Sequence, residues 1–117
     1  MLKKLIVVFL VLLCATTSYA NIQQQSSKSK DQDVAESLAD CAFVIMQGRQ
    51  KGISLVKVLD VIHHSNFSKS TVVVLDNIAA DAFKTPIYTT KELQNLAAEV
   101  FKNKWYFWAV KQLQEKK

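Results

Sequence analysis

The side chains of this sequence that come nearest to a reactive cluster are Asp60, His63 and His64. Imidazole is the commonest ligand for transition metals, and Asp60 stands three and four residues before the two histidines, within reach of either along a helix. Adjacent residues on a helix point about 100° apart, so one imidazole and one carboxylate converge at a time and a fourth donor is missing. The competing role is electrostatic. A histidine at a helix end meets the last unpaired carbonyls and the negative pole of the helix dipole. That role needs no further ligand, and the sequence favours it over periplasmic metal handling through His63 and His64.

Other reactive patterns are missing from the sequence. Its only glycines are Gly48 and Gly52, so it has no glycine-rich loop to cradle a phosphate. Serines and aspartates are scattered, and none stands in a motif that would hold a nucleophile beside His63. The expectation is a protein that is not an enzyme and carries no cofactor. Two further polar or sulfur side chains fall on an apolar helical stripe. Cys41 is expected to act there as a small buried hydrophobe with a poorly reactive thiol. Arg49, one turn past Ile45, is expected to satisfy carbonyls at a helix end and so to be structural.

The compartment follows from the first twenty residues. Lys3 and Lys4 give a positive start, Leu5 to Leu13 is an unbroken apolar run, and Cys14 to Ala20 is small and polar. A spanning helix needs ~20 apolar residues, so this run is too short for an anchor and is predicted to be a secretory signal. Ser18 and Ala20 place small side chains at the minus-three and minus-one positions, predicting cleavage after Ala20. Leu13 before Cys14 argues against lipoprotein processing, which wants a small residue there. The predicted organisation is a signal peptide at 1–20, a flexible polar leader at 21–30 and a helical domain at 31–117, in the periplasm or secreted.

Cleavage would also change the charge and cysteine arithmetic. The chain holds 15 Lys plus Arg against 10 Asp plus Glu, and removing Lys3 and Lys4 leaves +3. Residues 31–83 carry four basic and seven acidic groups, whereas residues 84–117 carry seven basic and three acidic. The basic half could favour an acidic partner or an anionic membrane surface, or could be a solvated helix face. Scattered lysines on an exported chain do not suit nucleic acid. Only Cys41 would survive cleavage, which excludes an intrachain disulfide in the processed protein and places the stabilising load on the core. Ninety-seven residues suffice for one such domain.

The elements that must position these residues are helical. Asp33 and Glu36 have capping-box spacing, and Val34, Leu38, Cys41 and Ile45 then recur on one stripe, predicting a helix from Asp33 to about Gln50. Cys41 to Met46 is apolar all round, so this helix is either central or shared with another chain. Gly52 marks its end. Ser54 restarts the chain with Ile53 and Val58 as a hydrophobic staple, and Leu55, Val58, Leu59 and Ile62 face inward. Residues 63–70 read as a loop. Thr71 to Leu75 suits a strand on propensity, but Leu75, Ile78, Ala79, Ala82 and Phe83 recur at helical spacing, predicting a helix over 70–84. Pro86 forces a break, and Thr89 with Glu92 repeats the capping-box spacing before a helix from about Thr90.

On that last helix, Leu93, Leu96, Ala97, Val100, Phe101, Phe107 and Trp108 share one arc and are expected to face the core. Lys104 and Lys111 fall in the same arc, which requires a bend near Asn103 or lysine stems lying along the core edge. Trp105 to Trp108 are consecutive aromatics that cannot all point inward. Tyr106, Val110 and Leu113 form a second stripe which, with Trp105, is the candidate interaction surface. Wrapping of the helix on several sides by the rest of the domain would account for the same residues, and the sequence slightly favours it.

Cys41, Ile45-Met46, Arg49-Gln50-Lys51-Gly52-Ile53-Ser54, Ala82-Phe83 and Pro86-Ile87-Tyr88, with an aromatic ending after Phe101, resemble a loose group of small exported bacterial and phage-borne helical proteins without an assigned activity. The resemblance spans most of the chain after residue 20. It implies an aromatic such as tyrosine where Phe83 stands and a second cysteine near Trp108, which this sequence lacks. The expectation as a whole is an all-α, single-domain bundle of about four helices that works by binding a protein partner or a second copy, as an inhibitor, immunity-type or accessory factor. The alternatives are peripheral membrane contact through the basic, aromatic C-terminal helix, and metal handling at the two histidines.

Overall fold

The computed structural model describes residues 27–115, with side chains described from residue 31. The signal segment, its cleavage site and residues 21–26 lie outside the described residues. The fold is all-α, with four helices among the described residues: α1 (Ser27–Gln50), α2 (Leu55–His63), α3 (Lys69–Ala82) and α4 (Lys91–Glu115). No described helix is long and apolar enough to cross a membrane.

Helix α1 begins at Ser27, within the segment expected to be a flexible leader and six residues before the expected start. Asp33 therefore lies inside the helix, and its carbonyl accepts a hydrogen bond from Ser37 Oγ at 2.9 Å. The C-terminal end follows the sequence. Gly52 takes a left-handed φ of 87°, which a glycine reaches without a Cβ penalty. That turn lets Gly52 N–H donate to Arg49 O and Ile53 N–H donate to Gly48 O, both at 3.0 Å, the two bonds of a Schellman cap. Ser54 then caps α2 by accepting from Lys57 N–H at 3.2 Å, with Ile53 and Val58 both buried across the staple.

The β-branched run at 71–75 is helical, so tertiary packing of Leu75, Ile78, Ala79 and Ala82 overrides strand propensity there. Ser68 caps α3 through Thr71 N–H, and the helix ends at Ala82, two residues earlier than expected. At the start of α4 the cap is Thr90, whose Oγ1 accepts from Leu93 N–H at 3.2 Å; the expected Thr89–Glu92 box is displaced by one residue.

Helices α1 and α4 form the long antiparallel pair of the bundle. Asp40 pairs with Lys102, while Met46 lies near Leu93 to Phe101 and Glu36 near Tyr106, so the two helices run in opposite directions. Helix α3 packs on α1, and α2 on α3. Of the two alternatives raised by the apolar girth of α1, the central position is the one observed: Ala42, Val44, Ile45 and Met46 are all buried. Val34, expected on the inward stripe, is instead 43% exposed. Cys41 is buried as expected, but in the unprocessed chain it is disulfide-bonded and not a thiol; Cys14, the other cysteine of the sequence, is outside the described residues and would leave with residues 1–20 on cleavage.

Candidate functional site

The largest departure from expectation is the rotation of α4. Its buried residues are Ala98, Phe101, Trp105 and Ala109, and of the expected inward arc only Phe101 is among them. Leu93, Leu96, Val100, Phe107 and Trp108 are 44, 57, 59, 70 and 37% exposed. At about 100° per residue Leu93, Leu96, Val100 and Phe107 fall within about 60° of one another, on the side of α4 away from α1. They make an outward apolar stripe that Lys104 interrupts between Val100 and Phe107.

The expected interaction set divides in a different way. Trp105 is core: it stacks edge-on with Phe101 at 6.4 Å and with Trp108 at 5.1 Å, and its indole N–H donates to Asp81 Oδ2 at 3.1 Å. Trp105 is therefore removed from the accessible surface, because its ring fills the seam against α1 and its polar edge is satisfied from α3. Tyr106, Val110 and Leu113 are half-buried on the flank of α4. Tyr106 helps line a polar groove of about 320 Å³ with Glu36, Asp40 and Lys102. The Lys102 ammonium lies 5.6 Å from the Phe43 ring centroid and 3.5 Å from Asp40 Oδ1, so a cation-π contact and an ion pair fix that side.

A second groove, of about 420 Å³, opens where the stripe meets α3 and the connector at 83–90. Leu93, Leu96, Val100 and Phe101 of α4 form its apolar wall with Met46 beneath, and Asp81, Lys84, Tyr88 and Lys104 line its polar edge. Asp81 also accepts from Lys104 Nζ at 2.7 Å, so one carboxylate ties α3 to both Lys104 and Trp105. α4 needs no bend near Asn103, because Lys104 lies on the outward face with its ammonium paired to that carboxylate.

The connector that closes this groove is held from α1. Gln50, 5% exposed, uses its amide on both sides: Nε2 donates to Pro86 O at 2.9 Å and Oε1 accepts from Tyr88 N–H at 2.8 Å. Gln94 Nε2 donates to Tyr88 O at 2.7 Å. Arg49 donates through Nε to Thr85 O at 2.9 Å, and its guanidinium stacks on Phe83 at 4.9 Å. Arg49 thus satisfies a carbonyl as expected, but one in the connector instead of one at its own helix end. Gln50 was missed in the sequence. Nothing in residue type singled it out, because it follows Gln47, Gly48 and Arg49 at the polar end of α1.

The histidines are separated by function. His63 Nε2 approaches both carboxylate oxygens of Asp76 at 2.8 and 2.9 Å, bracing α2 against α3. His64 Nδ1 donates to Asp60 O at 2.8 Å, the helix-end contact expected for it, with Asp60 Oδ1 at 3.4 Å. Asp60 therefore serves His64 and not His63. Among the described residues no group of three His, Cys, Asp or Glu side chains is disposed to hold a metal. Comparison with family models, with curated proteins and with solved structures finds no match.

Proposed function

We propose that this chain is exported behind residues 1–20 and acts by binding another protein through the outward stripe of α4 and the groove beside it. The observation that carries this reading is the exposure of Leu93, Leu96, Val100 and Phe107 on one face of a helix whose opposite face is fully packed. Leu93, Leu96 and Val100 adjoin one another along the groove, with Phe107 two turns beyond, and exposed apolar side chains grouped in this way on a small domain mark contact sites. Concavity favours a protein over a bilayer as the occupant. A membrane-surface helix presents a convex apolar face to lipid, whereas here the stripe forms one wall of a cleft completed by α3 and the connector. An inhibitor, an immunity-type factor or an accessory subunit would each use such a face.

The test is a paired substitution, Leu96→Ser with Phe107→Ser. Both side chains are more than half exposed, so thermal stability should stay within about 1 kcal/mol of the parent. Capture of a specific partner from the exporting host should be lost, since large apolar groups carry much of an interface's energy. Retention of the same partner by the folded double variant rejects the α4 face.

A further inference from the structure

We propose that the occupant of the groove is an amphipathic helix of a partner protein with an acidic flank, a deduction that rests on the α4 face being the binding surface. The apolar wall supplies anchor positions: Leu96 and Val100 stand one turn apart, matching side chains spaced at i and i+4 on an incoming helix. The polar edge supplies the sign. Lys84 is exposed and makes no ion pair among the described residues, while the only acid lining the groove, Asp81, is already engaged by Lys104 and Trp105. The lining therefore carries net positive charge. Glu99 does not line the groove; it precedes Val100 and points about 100° away from it, toward the other flank of α4. A helix seated in the groove meets basic charge on one side only, so carboxylates on that flank are attracted and lysines there are repelled. An anionic lipid surface would meet the same lysines but is flat where the groove is concave, and a second copy packed antiparallel through the same groove would set basic edge against basic edge.

The experiment uses a displayed library of random 16-residue peptides selected against protein purified from the exporting host. The expected result is enrichment of sequences with apolar residues at i, i+4 and i+7 and an excess of Asp and Glu on one flank. Leu96→Asp with Val100→Asp, checked for folding by circular dichroism, should abolish capture of an enriched peptide. Lys84→Glu, at an exposed position, should weaken capture roughly fivefold, and added salt should narrow that difference. Enriched peptides that need Leu96 and Val100 but show no acidic excess overturn the acidic partner and leave the α4 face standing. Enrichment indifferent to both substitutions overturns both, as does no enrichment accompanied by binding to anionic phosphatidylglycerol vesicles or by concentration-dependent dimerisation.

Discussion

Replacing Gln50 should unfasten the connector that shapes the groove, and its cost can be worked from two hydrogen bonds. The Gln50 amide joins Pro86 O and Tyr88 N–H at 2.9 and 2.8 Å from a position that is 5% exposed. Gln50→Leu keeps most of the volume and removes both hydrogen bonds, leaving Pro86 O and Tyr88 N–H in place. A hydrogen bond contributes about 1 kcal/mol net, and a partly buried N–H left without an acceptor costs about 1–3 kcal/mol. Pro86 is exposed, so its carbonyl can turn to water and the main loss falls on Tyr88. The expected destabilisation is about 2–4 kcal/mol, or roughly 10–20 °C in a domain of this size. Gln50→Glu separates the two bonds. Its carboxylate still accepts from Tyr88 N–H, but the second oxygen faces Pro86 O, and burial together with that carbonyl raises the folded pKa of the glutamate above its unfolded value of about 4.3. The folded state then holds the proton more tightly than the unfolded chain. Stability is accordingly fully present below the unfolded pKa and lost as pH rises through the raised folded value. Urea titrations of parent, Gln50→Leu and Gln50→Glu at pH 7 and pH 5 measure this. A Gln50→Leu variant within about 0.5 kcal/mol of the parent, or a Gln50→Glu variant whose deficit from the parent does not shrink on acidification, refutes the connector lock.

Three further outcomes are expected. Mass spectrometry of protein from an exporting bacterial host should find Asn21 at the amino terminus, and intact Met1 in the membrane fraction would reject cleavage after Ala20. Trp105→Phe should cost about 1–2 kcal/mol by removing the indole donor to Asp81 and part of the ring, whereas Trp105→Ala should cost about 3–5 kcal/mol, both read by thermal denaturation. His63→Ala and Asp76→Ala should each change stability by under about 1 kcal/mol in urea titrations, because the two side chains that meet are 49% and 34% exposed and water can replace the contact.

The helices were legible where local signals and tertiary packing agree. Gly52, Ser54 and the Ile53–Val58 staple fixed one boundary because each acts within a few residues of itself. The start of α1 was not legible from Asp33 and Glu36, since capping-box spacing also arises inside a helix that continues through it. Serine and lysine at 27–30 are tolerable helix formers and carry no stop signal. The Gln50 lock was invisible because it pairs α1 with backbone groups 36 and 38 residues away, and main-chain partners leave no residue-type trace. His63 found Asp76 in place of Asp60 for a related reason: the partner is adjacent through the packing of α2 on α3, 13 residues along the chain.

The inverted face of α4 is the instructive case, because the sequence did contain its cause. Burying Leu93, Leu96, Val100 and Phe107 would stabilise the fold by about 1.5–3 kcal/mol per side chain. The same rotation would turn Lys104 and Lys111 toward α1, and a desolvated ammonium costs several kcal/mol even when paired. Two such ions offset most of that gain. The opposite face has no comparable penalty. Ala98 and Ala109 meet a helix that presents Ala35, Ala39 and Ala42, all nearly inaccessible, and small side chains let the two axes approach closely while Phe101 and Trp105 fill the seam. Hydrophobic weight on a helical wheel understates alanine and so pointed to the wrong arc. The lysines that keep the leucine stripe out of the core do not bar it from an interface. At an interface edge, a lysine stem can lie along apolar surface with its ammonium in water or beside a carboxylate, as Lys104 already lies beside Asp81. The residues that exclude burial against α1 therefore select, among possible occupants of the stripe, one that leaves the ammonium groups wet or supplies acids to meet them.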